Sequence, residues 1–335
     1  ATQLIIVVGI QALLGSMATP AWTALLGELV QSSKRGREIG AINRVAAIGS
    51  LLATLIAGYL MVMTSGTLHE MFLVPLLIAV LCGFVSSLVM LVVREKPHPN
   101  TMSSSSSLIG ILDVVKQARK NPNFSRFCAA SVVFGFFMSI SWPLFSITQI
   151  SVLNASMLEV ALVSVIMGAV RIALQPWGGK LVDRVGRRQL IIIYRLSLVL
   201  VPVLYALASN IYYLYAYAVL FGVLTSFGDV AMFSYMLDVT QEEFRGALSA
   251  FYNSITGVAF FVGSLVGGYL ASYLVGVFGL VFGVQLVYAL SGAGRFVGGL
   301  TFIGIKEPYK YPSTLRKELR GMVQRLPWMP ERGPA

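Results

Sequence analysis

The chain has 335 residues, 56% of them hydrophobic and 12% charged, with a net charge of +11 and a mean hydropathy of +0.79. Ordinary soluble domains are about half apolar and about a quarter charged, so this composition excludes one and points to a bilayer. The positive charge by itself would also suit nucleic acid, but its distribution along the chain argues against that partner.

Crossing the hydrocarbon core takes about 20 mostly apolar residues in a helix. Nine such runs are predicted, at 2–27, 37–63, 71–94, 124–150, 158–178, 189–208, 211–236, 247–273 and 279–304. They are continuously apolar, without the alternation of a membrane β-strand, so the predicted class is an all-α polytopic membrane protein. The connections 28–36, 95–123, 179–188 and 237–246 and the tail 305–335 hold nearly all the Lys and Arg, while 64–70, 151–157, 209–210 and 274–278 hold none. That alternation predicts a multi-pass plasma-membrane protein with a cytoplasmic C-terminus. The basic residues then face anionic lipid headgroups, at about 1 kcal/mol each, and nucleic-acid binding is not expected.

Cys82 and Cys128 both lie in or beside apolar runs and read as packing residues. The first run lacks the basic leader of a signal peptide. The same topology puts Ala1 on the outer side, and the expectation is a chain that lacks an upstream part.

Four regions are expected: a partial bundle of three helices (1–94), a linker with an amphipathic helix (95–123), a six-helix bundle (124–305) and a basic amphipathic tail (306–335). A shift of 210 positions aligns Glu28 with Asp238, Gln31 with Gln241, Arg35-Gly36 with Arg245-Gly246, Asn43 with Asn253, and Gly58-Tyr59-Leu60 with Gly268-Tyr269-Leu270. The common offset indicates a duplication, a construction used by transporters. It leaves the first half three helices short of the second. In the linker, Ser107 is placed to cap a helix whose stripe is Leu108, Ile111, Leu112 and Val115, with Lys116, Arg119 and Lys120 near its end. In the tail, Leu315, Leu319, Met322, Val323 and Leu326 share a face among Arg316, Lys317, Arg320 and Arg325. Both helices are expected to lie on the cytoplasmic leaflet.

Between the fifth and sixth runs, Gly178 to Leu190 reads GGKLVDRVGRRQL and gathers five charged residues. The pattern Gly179, Leu181, Asp183, Arg184, Gly186, Arg187, Arg188 resembles the loop motif of the major facilitator superfamily. The resemblance covers residues 1–305 and implies a two-bundle fold of twelve helices, of which nine, the fourth to the twelfth, are present. It also implies a gating latch at the cytoplasmic face, to which the junction residues Glu28, Arg35, Gly36, Asp238, Arg245 and Gly246 belong. Gly178 and Gly179 would allow close approach, Asp183 would face the N-terminus of the helix starting near Ala247, and Arg187 would pair with Asp238.

Arg44, Arg171, Asp229 and Arg295 lie inside apolar runs, where an ionisable group marks function by default. Arg171 is eight residues from Gly179 and Asp229 nine from Asp238, so both lie about 12–14 Å below the helix ends, and a pair between them is feasible. Asp229 is the only carboxylate well inside a span and is the candidate proton carrier; a permanent structural ion pair is the competing reading. Arg44 and Arg295 are candidates for an anionic substrate group or for snorkelling, and Arg195 for snorkelling. The family's central cavity is lined by its first, fourth, seventh and tenth helices, which here nominates Gln11 and Trp22, then Trp142 and Gln149, then Tyr235 beside Asp229. Pro20 and Pro143 are expected to kink their helices.

With only His69 and His98, no His-Glu-x-x-His and no phosphate-cradling glycine loop, neither an enzyme nor an ATP-driven pump is expected, and no metal or cofactor. The expected function is secondary active transport of a small organic solute by alternating access: drug or metabolite efflux, or sugar or organic-anion uptake. The expected protein is monomeric when full length, with a proton as candidate coupling ion. A non-transporting membrane sensor or scaffold is the alternative.

Overall fold

The computed structural model describes residues 35–64, 68–92, 111–240 and 244–308. The first predicted run, with Gln11, Pro20 and Trp22, lies outside the described residues, as do Glu28 in the connection after it, the Ser107 cap and the tail helix. Two compact units, 1–106 and 107–335, divide the chain. The described residues contain eight helical spans long and apolar enough to cross a membrane.

The first unit holds α1 (Arg35–Met63) and α2 (Leu68–Val92), which pack on each other. The second begins with the short α3 (Ile111–Lys120) and α4 (Pro122–Ile140), continues through α5 (Trp142–Ile147) into a π-helical turn (Thr148–Val152), and then α6 (Met157–Val185). It goes on through α7 (Arg187–Ser197), α8 (Leu200–Leu207), α9 (Ile211–Val239), α10 (Arg245–Phe278) and α11 (Leu280–Thr301), ending in a 3₁₀ turn (Phe302–Gly304). Arg35 and Gly36 lie in α1 and Arg245 and Gly246 in α10, positions that the sequence repeat brings into register.

Local chemistry sets the ends. Asn121 caps α4 by accepting from Phe124 N at 3.1 Å, with Pro122 in the first turn, where a missing N–H costs nothing. Ser156 and Glu159 form a capping box at α6, and Asn210 accepts from Tyr212 N to start α9. Single glycines turn the chain between α6 and α7 (Gly186, φ 100°) and between α10 and α11 (Gly279, φ 82°), a backbone region that side chains disfavour.

Several elements differ from the sequence expectation. The connection 179–188 is almost wholly helical, and α6 runs on to Val185 with Gly186 alone as the turn. The run 124–150, by contrast, is interrupted at Ser141 in agreement with the kink expected at Pro143, which has no N–H to offer and whose ring crowds the preceding turn. The run 189–208 is broken between Ser197 and Leu200. The linker helix is docked on protein: Ala118 is buried and Val114 packs against the core, and Ser125 Oγ donates to Ala118 O at 2.6 Å. Its basic residues Lys116, Arg119 and Lys120 stay exposed.

In the second unit α6 packs along α9, α4 lies against α10 and α11, and α7 and α8 join α9 to α11. Phe124, Phe127, Phe134 and Phe302 are wholly buried at its centre; Phe127 stacks on Tyr252 at 5.2 Å and meets Tyr235 at 4.9 Å. Glycines make the crossings close: a Cβ at Gly178 would lie 2.4 Å from Ser226 O, and one at Gly222 2.7 Å from Met167 O.

Candidate functional site

The close crossing of α6 and α9 brings Arg171 to Asp229, with Nη2 3.2 Å from Oδ2. The other carboxylate oxygen, Oδ1, accepts from the Tyr194 hydroxyl of α7 at 3.0 Å. Tyr194 reaches it because its ring lies over Gly228, where a Cβ would come within 2.3 Å of the ring. The Tyr194 side chain is buried, whereas those of Arg171 and Asp229 are 47% and 41% exposed. One carboxylate therefore joins three helices and is still reachable from outside the bundle. Its protonation would weaken two contacts at once. Tyr194 escaped sequence reasoning, although a depth signal existed: it lies seven residues from Arg187 at the helix start, about 10 Å, close to the level of Asp229.

A second charged group forms at the end of the unit marked by Gly186. Arg187 Nε and Asp238 Oδ2 are 2.9 Å apart, with side chains only 14% and 17% exposed. Arg188 donates from Nε to Ile305 O (2.7 Å) and from Nη2 to Ile303 O (2.8 Å). Glu307 accepts from the backbone N–H groups of Arg188 (2.7 Å) and Arg187 (3.4 Å), placing a carboxylate on the unpaired amides of the α7 N-terminus. Asn123 and Lys306 exchange hydrogen bonds at 2.8 and 2.9 Å, and Asn121 Nδ2 donates to Val239 O. The strand of chain after α11 thus straps the starts of α4 and α7 and, through Tyr235, the end of α9. Glu307 gave no sequence signal of a cap, because the helix it meets begins 120 positions away along the chain.

Of the other motif residues, Leu181 packs against the core, Arg184 is exposed and Arg245 half-buried. Gly178 is needed for close packing, but a Cβ at Gly179 or Gly246 would meet nothing within 4 Å, so close approach does not explain those two. Arg35, Gly36 and Arg44 lie in α1 and Asp183 in α6; their side chains are outside the described residues. At the start of α7 the carboxylate found is that of Glu307.

Four expected solute-facing or snorkelling residues are placed elsewhere. Tyr235 is fully buried, its hydroxyl donating to Lys306 O at 3.0 Å. Gln149, on the π turn, is buried and donates to the Tyr205 hydroxyl at 2.9 Å. Arg295 is 2% exposed and donates to Leu198 O and Met138 O, each at 3.0 Å, and to Ser141 Oγ. Arg195 turns inward, its guanidinium 4.6 Å from the Phe134 ring centroid and 5.3 Å from that of Phe302, because aromatic faces are available to a cation at that level. Trp142 remains exposed, its ring 5.1 Å from Phe260. Among the described residues no cluster of His, Cys, Asp and Glu is arranged to hold a metal.

Long apolar helices, a charged group within the spans and a charged lock at their ends define a polytopic α-helical membrane protein. The sequence model of the Major Facilitator Superfamily matches residues 1–142 and 127–333. The chain belongs to that family, whose members are carriers and not enzymes. It is similar to a "Multidrug resistance protein 2" of Bacillus subtilis (strain 168), at 25% identity over 130 residues, which cover 39% of this chain and 30% of the relative. The aligned stretch thus spans less than a third of that relative's length.

Proposed function

We propose that this protein works as a secondary transporter that moves a small organic solute across the plasma membrane by alternating access, with the Gly186 end of the bundle and the C-terminus on the cytoplasmic side. Membership of the Major Facilitator Superfamily supports the transport class, and the name of the Bacillus relative, a multidrug resistance protein, favours efflux of drug-like solutes over uptake. The observation that carries the reading is Asp229, shared between Arg171 and Tyr194 inside the spans.

In this reading Asp229 carries the coupling proton. Ionised, it holds α6, α7 and α9 together. Protonated, it loses the attraction of Arg171 and the charge that strengthens the hydrogen bond from Tyr194, so the bundle favours a different packing. The Arg187–Asp238 pair and the Glu307 cap belong to the latch at the cytoplasmic end. Each contact need bias the equilibrium between the two states by only about 1–3 kcal/mol to set the working cycle. Anionic lipids meet the exposed Lys116, Arg119 and Lys120 of α3.

The test is flux of a lipophilic organic cation through the full-length protein in liposomes under an imposed pH gradient. The wild type is expected to accumulate the solute against its gradient. Asp229→Asn is expected to lose accumulation and pH dependence while keeping downhill exchange. Unchanged pH dependence in Asp229→Asn overturns the proton role. Absence of flux for any solute class moves the sensor or scaffold reading ahead.

A further inference from the structure

Within the second unit, two membrane spans are interrupted, and every interruption is met by a polar side chain from α11. In an unbroken helix the carbonyl of each residue accepts from the N–H four residues on. At the first break Phe137 O and Met138 O would need the N–H groups of Ser141 and Trp142, where α4 stops and α5 begins. Ser291 Oγ donates to Phe137 O at 2.7 Å and Arg295 Nη2 to Met138 O at 3.0 Å. At the second break the four-residue partner of Leu198 O would be Pro202, which has no N–H; the carbonyl accepts from Val201 N at 3.3 Å, one residue short of the helical register, and from Arg295 Nη1 at 3.0 Å. Where α8 ends, Gln285 Nε2 donates to Ala206 O at 2.9 Å. At the π turn, the Tyr288 and Thr148 hydroxyls lie 2.8 Å apart.

Residues 285, 288, 291 and 295 follow one another at three- and four-residue steps, one stripe along one helix. Ser291, Gln285 and Tyr288 each serve one interrupted span. Arg295 alone serves both, with its two terminal nitrogens on different helices. A guanidinium is planar and its donors are held in a fixed fork, so displacement of one carbonyl must move the ring plane relative to the other. Burial of the cation in the bundle removes water as a substitute partner.

We propose that Arg295 is a positioning residue that couples two hinges, so that the bend at Ser141 and the bend at Leu198–Val199 open and close together. α11 is the spine on which both broken spans hang, and Arg295 is the pin common to them. This rests on the second unit's own geometry and stands whether or not Asp229 carries a proton.

Backbone hydrogen exchange of the full chain in lipid nanodiscs tests it without any substrate. Pro202→Ala supplies Leu198 O with the four-residue N–H of a continuous helix and heals one break. Coupled hinges are then expected to slow exchange at 139–147 as well as at 197–204; slowing at 197–204 alone overturns the proposal. Arg295→Met is expected to speed exchange at both segments by at least about tenfold, through loss of the charge-assisted hydrogen bonds to Met138 O and Ser141 Oγ at the first and to Leu198 O at the second. Ser291→Ala, the control, is expected to act on 139–147 only. An effect of Arg295→Met on a single segment, or on neither, overturns the proposal. If Arg295→Met does not fold, Pro202→Ala still decides the question.

Discussion

Gly178 lies so close to Ser226 that a Cβ on the glycine would come within 2.4 Å of the serine carbonyl oxygen. This contact fixes the separation of α6 and α9, and with it the distance between Arg171 and Asp229, which those helices carry. Gly178→Val is therefore expected to destabilise the protein by about 1–3 kcal/mol, the usual cost of overpacking, and to separate the ion pair. The neighbouring Gly179→Ala is expected to be silent, because a Cβ there meets nothing within 4 Å. Thermal unfolding in detergent, with cysteine cross-linking between positions 171 and 229, checks both.

Arg187 and Asp238 are largely buried partners, so either charge alone is left without its counterion when the other is reversed. Arg187→Asp and Asp238→Arg are each expected to destabilise the Gly186 end, and the double exchange to recover part of the loss. A coupling energy of about 0.5–3 kcal/mol is expected from the double-mutant cycle. A coupling of zero would show that the two residues are merely neighbours.

Glu307 sits on the first amides of α7, where Gly186 offers no side-chain cap of its own. Glu307→Ala is expected to cost about 0.5–2 kcal/mol, in the range of a lost N-terminal cap, and Glu307→Gln less, because the amide oxygen still accepts. Exchange of the amides at 187–190 locates the effect; no change there removes Glu307 from this role.

Tyr194→Phe removes the donor to Asp229 Oδ1, and Gly228→Ala pushes the Tyr194 ring from its seat. Both are expected to move the pH profile of flux in the same direction, with a stability loss of about 1 kcal/mol for the phenylalanine. Profiles that move in opposite directions would separate Tyr194 from the protonation of Asp229.

Depth was legible in the sequence. Arg171 and Asp229 were matched by counting residues to the helix ends, and the structure has them 3.2 Å apart; the Arg187–Asp238 pair followed from the motif. Direction was not legible. Arg195, Tyr235 and Arg295 stood at reasonable depths, yet each turned into the bundle, to the Phe134 ring, the Lys306 carbonyl and two helix breaks respectively. Pro143 announced the first break, while the second was hidden because Pro202 acts on a carbonyl four residues behind it.

By itself the sequence determined the all-helical spanning architecture, the alternation of basic connections and the repeat that aligns Arg35-Gly36 of α1 with Arg245-Gly246 of α10. These depend on transfer free energies and charges summed along a local stretch, and they need no knowledge of neighbours. Tertiary structure decided which charges meet, because helix rotation and crossing distance are set by contacts between distant residues, such as Gly178 with Ser226 and Gly228 with Tyr194. It also decided that α6 runs through the motif to Val185, and that a carboxylate 120 positions away along the chain caps the helix that follows.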